Sequence, residues 1–286
     1  MRLQAALLPD GKRLHLQHGP IDLIIGADGD RAAAFAAAEG RFATILEELV
    51  TELPLLRAEM DKHSPCPVES VAKRMDRAMR PFCGGSFVTR MAAVAGSVAD
   101  EVLEAMQNGA ELRRAYVNNG GDIALHLTPG TRFTLAMAGH DGRDLGRIEI
   151  RASDPVRGIA TSGRHGRSLS LGIADSVTVL AGSAAEADAA ATLIVNAVDL
   201  PDHPAVTRRP ACHIVDDSDL GDRPAVTHCD TLDDRHVDLA LSKGLARAQE
   251  FLDRRLIFGA ALFLQSDCRA TQTRNFSIIQ RIKAHA

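Results

Sequence analysis

Asp188 and Thr192 stand four residues apart in the alanine-rich run that follows Leu180. At helical period both project from one face, one turn above the other. A carboxylate and a hydroxyl so placed are hard oxygen ligands, suited to a cation such as Mg2+. The same pair has a plainer reading: an Asp near a helix start complements the macrodipole, and a Thr one turn later caps or packs. Upstream lies Thr161-Ser162-Gly163-Arg164-His165-Gly166-Arg167-Ser168. Two glycines there permit unusual backbone angles, and converging N–H groups can hold an anion. Arg164 and Arg167 can fork onto phosphate oxygens; a solvated tight loop accounts for the same residues equally well. The stretch 158–198 thus reads as half of a site for a metal-bound phosphate ester.

Two other groupings carry chemistry. Asn118-Asn119-Gly120-Gly121-Asp122 reads as a hairpin turn, and its paired glycines would let backbone lie against a flat ring. Cys212-His213 and His228-Cys229 form a near-mirror pair, but adjacent ligands at that separation do not match a usual structural zinc site. The sequence contains no GxSxG elbow, HExxH or Walker loop.

The elements that must position these residues are read from period and breakers. Leu14–Leu16 and Ile21–Ile25 read as strands, and Arg31–Val50 as a helix that Pro54 ends or kinks. Further helices are expected over Val68–Met79, Val88–Met106 and Val237–Arg255. The third of these four helices is rich in small residues, which let backbones approach closely. Strands are expected at Ala115–Val117, Ile123–Leu127, Phe133–Met137, Ile148–Arg151, Ser176–Leu180 and Leu256–Leu264, with a short one opening at Gly158. Consecutive strands with hairpin-like links point to an α+β class: a mainly antiparallel sheet core flanked by helices. Leu200–Asp234, proline-studded and acidic, reads as an irregular surface excursion, and the tail after Ser266 as frayed.

Composition narrows the function classes. A chain of 286 residues with 45% hydrophobic content can build one large domain or two lobes sharing a core. Trp is absent, Tyr116 is the single tyrosine, and the net charge is −4 with interspersed signs. That argues against aromatic platforms for single strands and against a basic field for DNA. Five scattered cysteines suggest reduced thiols, and no apolar run is long enough for a signal peptide or a membrane span, so a cytoplasmic protein is expected.

Taken in order, MAAVAGSVAD, VNNGGDIAL, GIATSG and AEADAAAT resemble the ApbE-like superfamily of FAD:protein FMN transferases, and more closely its uncharacterised cytoplasmic branch. The resemblance covers roughly residues 87–198 well and the flanks weakly. It implies one ApbE-like, two-lobed unit over 1–286. It further implies a Mg2+-dependent enzyme that binds FAD, splits its pyrophosphate and places FMN on a threonine of an acceptor protein. On the matching positions, Asp188 and Thr192, with the backbone carbonyl of Val94, would hold the metal. Gly96, Asn119, Gly120, Gly121, Asp122, Thr161, Ser162 and Gly163 would border the cofactor. Arg164 and Arg167 would stabilise the departing phosphate, and Asp100 or His165 would serve as base.

Two departures stand out. The family's lysine is replaced by Ala95, and its histidine–isoleucine–aspartate–proline segment has no counterpart between Ser162 and Asp175. A flavin- or nucleotide-binding accessory protein, working with a redox or sulfur-transfer partner in sulfur assimilation, is therefore the alternative to a transferase. A homodimer is compatible with either. A structural protein whose glycine turns merely shape a sheet is the third reading, and predicts no ligand.

Overall fold

A computed structural model describes residues 3–85, 87–265, 267–271 and 273–279. The chain begins with three strands, β1 (Gln4–Leu7), β2 (Arg13–His18) and β3 (Ile21–Gly29). Helices α1 (Arg31–Thr51), α2 (Leu53–Arg57), α3 (Ser70–Met79) and α4 (Val94–Gly109) follow. Then come β4 (Leu112–Asn119), β5 (Asp122–Leu127), β6 (Arg132–Ala138), β7 (Asp144–Arg151), β8 (Gly158–Ser162) and β9 (Ser176–Ala181). Helix α5 (Ala184–Ala197) leads to β10 (Val206–Pro210) and β11 (Pro224–Cys229), and α6 (Asp234–Asp253) to β12 (Gly259–Leu264), β13 (Asp267–Ala270) and β14 (Phe276–Ile278). The class is α+β, with antiparallel strand pairing throughout the registers of β1 to β5 and of β9, β12 and β13.

The chain divides into two compact units. The first comprises residues 1–132, 151–160 and 181–189. Its strands run in the order β1-β2-β3-β4-β5-β8. Strands β2 and β3 alternate buried and less buried residues, so Leu14, Leu16, Leu23 and Ile25 turn one face inward. That face meets α1 and α4 through Ala34, Ala38, Phe42, Ile45, Val98, Val102 and Met106. Helix α1 starts where the Asp30 side chain accepts from the Ala33 N–H at 3.1 Å, the usual N-cap device. Pro54 does not simply end that helix. It sits in the first turn of α2, where its missing N–H costs nothing.

A buried ion pair ties α3 to the segment before α4. Arg90 is fully buried, with its Nε on Asp76 at 2.8 Å and its amino groups on the Leu55 and Pro65 carbonyls. The small-residue helix expected over Val88–Met106 starts later than its composition suggests. Residues Arg90–Ala93 form a 3-10 turn, and α4 begins at Val94.

The second unit comprises residues 133–150, 161–180 and 190–286. Strands β9, β12 and β13 pair antiparallel, β7 lies between β14 and β6, and α6 packs on β12 and β13. The excursion expected to be irregular over Leu200–Asp234 instead contains the antiparallel pair β10–β11. The β-branched Val206, Thr207, Val226 and Thr227 favour extended backbone, and Pro210 and Pro224 fall at strand ends, where a missing donor is tolerated. The tail expected to fray carries β13 and β14; residues 280–286 lie outside the described residues.

Candidate functional site

In the first unit, Gly96, Asp100, Asn119 and Asp188 converge where the starts of α4 and α5 meet. Gly96, in the first turn of α4, allows the meeting: a Cβ there would lie 2.2 Å from the Ala184 carbonyl oxygen. Gly158 of β8 is equally constrained, since its Cβ would lie 2.0 Å from backbone atoms of Ser183. Gly96, among the small residues of α4, is thus explained by backbone-to-backbone approach at the start of α5.

At this crossing the two helices cap one another. The Gly96 N–H donates to Asp188 Oδ2 at 3.0 Å. In return, the Ala184 and Ala185 N–H groups donate to the two carboxylate oxygens of Asp100 at 3.0 and 2.9 Å. Each helix leaves amide donors unsatisfied at its N-terminus, and each receives a carboxylate from the second turn of the other. The Asn118–Asp122 turn adjoins this pair. Gly120 and Gly121 have φ of 66° and 114°, the left-handed values a two-residue hairpin turn demands. Asn118 Oδ1 accepts from the Gly121 N–H at 2.8 Å, and the buried Asn119 donates its amide to the Ala95 carbonyl at 3.1 Å.

Burial dominates the electrostatics here. It pushes the Asp100 carboxyl up to about 6, against the pull of the Ala185 and Ala184 amides and the Arg74 charge. Burial also pushes Asp188 up to about 7, opposed by the Gly96 and Ala95 amides and reinforced by the charge on Asp100. Neighbouring carboxylates that both resist ionisation favour the arrival of a proton or a cation. One further group is notable: Ser97, beside Gly96, is wholly buried, and its hydroxyl has no hydrogen-bond partner among the described residues.

Thr192 lies one turn beyond Asp188 on α5 and is half-buried. Val94 is the first residue of α4, and Asp122 the first of β5.

In the second unit, Thr161 and Ser162 end β8 rather than lying in a loop. The Thr161 hydroxyl pairs with that of Thr178 at 3.0 Å. Gly163 presses so closely on the backbone of Asp175 that a Cβ would lie 2.1 Å from its carbonyl oxygen. Arg164 is not presented to solvent for an anion: its guanidinium lies on Asp175 Oδ1 at 2.8–2.9 Å. His165 Nε2 reaches the same oxygen at 3.2 Å, while Arg167 is exposed. Burial, then the charges of Arg164 and His140, hold His165 below the usual histidine value, against the pull of Asp175.

The four ligands imagined for zinc do not gather. Cys212 Sγ is on Asp222 Oδ1 at 3.0 Å, and His228 is on Asp230 at 3.0 Å. The five cysteines are free thiols, as expected of reduced residues.

Two features escaped the sequence. The first is a pairing: Asp100, read only as a candidate base, caps Ala184 across 84 residues of chain, and only the glycine at position 96 hinted at close approach there. His140, stacked on His165 with ring centroids 3.7 Å apart, sits in an ordinary-looking His-Asp-Gly turn that no spacing rule connects to position 165.

The class defined by this fold is an α+β protein whose antiparallel sheet carries a helix pair joined at its N-termini. A family model described as AbpE bacteria matches residues 5–273, and the chain belongs to that family. A UPF0280 protein of Methanopyrus kandleri is 37% identical over 148 residues, covering 51% of this chain and 56% of that protein. Another from Methanothrix thermoacetophila is 36% identical over 160 residues, covering 54% and 64% respectively. The match thus spans less than two thirds of either relative's own length. Among solved structures, the chain is similar to the flavin transferase ApbE of Vibrio cholerae (14% identity, TM-score 0.40, covering 95% of this chain and 98% of that one). It is also similar to the apo flavinyl transferase ApbE of Pseudomonas stutzeri (13% identity, TM-score 0.44, covering 96% of each). No helix among the described residues is long and apolar enough to cross a membrane.

Proposed function

We propose that this protein binds FAD or a related flavin nucleotide together with Mg2+, and either transfers FMN to a threonine of an acceptor protein or cleaves the FAD pyrophosphate. The observation that carries the reading is the Asp100–Asp188 pair: two crowded carboxylates with raised proton affinity, held at two helix N-termini. All-oxygen donors of this kind fit a hard cation. Asp188 and Thr192, with the Val94 carbonyl, would hold Mg2+, which would act as a Lewis acid toward a phosphoryl oxygen. Gly96, Asn119, Gly120, Gly121 and Asp122 are assigned to the nucleotide, as are Thr161, Ser162 and Gly163. Asp100, with its elevated pKa, is suited to take a proton near neutral pH, and His165 is the second choice. Arg164 and Arg167 are assigned to the phosphate, Arg164 on condition that it leaves Asp175.

That condition favours a second reading. An accessory protein would bind the nucleotide through the same residues without transferring it to an acceptor, in the service of a redox or sulfur-transfer partner. The absence of the family lysine at Ala95 and the engagement of Arg164 by Asp175 both support it.

Purified protein is mixed with FAD, with and without Mg2+, and its flavin absorbance after desalting and its thermal midpoint are measured. Both readings expect retention of flavin or a Mg2+-dependent rise in midpoint, and neither survives if both are absent. A threonine-bearing acceptor then separates them. A mass increase of one FMN supports the transferase, and binding without such an increase supports the accessory role. Metal dependence that survives Asp188→Ala would refute the ligand assignment.

A further inference from the structure

We infer that His140, His165 and Asp175 form a second metal site, for a borderline divalent transition ion such as Zn2+, separate from the carboxylate pair and made wholly by the second unit. Among the described residues, these three are the one group of His, Cys, Asp or Glu side chains whose ligand atoms converge, all lying within 4.8 Å of one another. His165 Nε2 and Asp175 Oδ1 are 3.2 Å apart. Two donors on a tetrahedral zinc with bonds of about 2.0–2.1 Å are about 3.3 Å apart, so one edge of the coordination shell is already set. The same Oδ1 also accepts from the Arg164 guanidinium, so an ion would share this oxygen with that cation. His140 completes the set from an exposed turn between β6 and β7, stacked nearly parallel on His165 at an interplanar angle of 14°. Coordination requires the exposed His140 ring to turn out of this stack so that its nitrogen faces the ion.

The surroundings hold the ligands in place, as outer partners do in metal sites. Asp175 Oδ2 accepts from the Gln265 N–H, and its own N–H donates to the Phe263 carbonyl at 2.9 Å. Gly163 locks the backbone before His165 against that of Asp175. The Arg164 N–H donates to the Ala174 carbonyl at 3.0 Å, which ties the two ligand-bearing segments together a second time. Two nitrogens and one carboxylate oxygen suit Zn2+, Co2+ or Ni2+ better than Mg2+. Three protein ligands leave a position for water or a substrate atom, the arrangement of catalytic rather than structural zinc. The Arg164 guanidinium on Asp175 competes with an ion for that carboxylate and weakens binding.

The test titrates metal-free, full-length protein with Zn2+ by calorimetry and with Co2+ by visible absorption, without flavin or Mg2+. Neither signal depends on the nucleotide reading, so the two proposals can fail separately. One Zn2+ per chain is expected, with ligand-field bands from Co2+. His140→Ala and His165→Ala should each weaken binding at least about tenfold. His203→Ala, at the unrelated His203–His236 contact, should leave binding unchanged. Because His140 is exposed, His140→Ala and His140→Gln should keep the wild-type thermal midpoint, and either suffices for the comparison. Absence of binding, or binding unaltered by both the position-140 and position-165 changes, overturns the assignment.

Discussion

Replacing Asp188 by Asn removes one charge from the junction of α4 and α5 while keeping a side-chain oxygen to accept from Gly96. The consequence should be a change in how stability depends on pH. Burial raises Asp188 from 3.8 to about 7, so the folded protein holds that proton more tightly than the unfolded chain does. Such a group contributes stability that is fully present below about pH 4 and is lost as pH climbs through the folded value. Each unit of that climb is worth about 1.4 kcal/mol, so the loss approaches about 4 kcal/mol by pH 7.5. Asp100 behaves alike over the lower part of the window, from 3.8 to about 6. Protons leave such a pair jointly, and removing the Asp188 charge also eases the ionisation of Asp100. Carboxylates held low elsewhere, such as Asp28 and Glu48, tilt the curve the other way in acid. The useful quantity is therefore the difference between wild type and Asp188→Asn, measured by urea unfolding followed by circular dichroism from pH 4.5 to pH 8 on metal-free protein. The variant should gain on the wild type by several kcal/mol across that range, and saturating Mg2+ should recover part of the loss in the wild type alone. A difference that is flat with pH, or that moves in favour of the wild type as pH rises, would refute the claim that these carboxylates resist ionisation.

Three further outcomes follow from the same region. Gly96→Ala, which drives a methyl group against the Ala184 carbonyl, should cost about 3 kcal/mol in chemical denaturation. Ser97→Ala should leave metal-free stability unchanged or raise it by about 1 kcal/mol, because the hydroxyl it removes is buried without a partner; a marked loss would show that the hydroxyl is satisfied. Glu101→Gln should lower stability by about 2 kcal/mol, since this buried carboxylate accepts from Arg41, Arg74 and Ser70 at 2.6–2.9 Å.

The sequence made the local elements readable where period and turn chemistry act over a few residues. The long helices, the Asn118–Asp122 turn and the strand at Ser176 all rest on neighbours in the chain. Asp188 was also visible as a residue with a purpose, since an acid at a helix start is a local signal. Its pairing was not visible: Asp100, singled out only as a candidate base, belongs to a helix formed far earlier, and periodicity carries no information about which helix crosses which. The start of α4 was misjudged for the same reason, because the 3-10 turn before it and the cap that fixes it depend on tertiary contacts. Arg164 shows the converse error. A cation in a glycine-rich turn looks ready for a phosphate until Asp175, eleven residues on, is found beside it. The β10–β11 pair was missed because prolines and acids obscured two short β-branched runs.

The exchange of carboxylates between α4 and α5 bears on how amide protons leave this protein. The Gly96 N–H closes onto a side chain 92 residues away, and the Ala184 and Ala185 N–H groups close onto one 84 and 85 residues back. These three protons sit in the first turns of helices, where fraying normally makes exchange with solvent fast. Here each is shielded by an acceptor that stays in place only while the opposite helix keeps its position. Opening either end therefore exposes both, and the three amides should exchange with deuterium at a common, slow rate, as a single latch rather than as two loose ends.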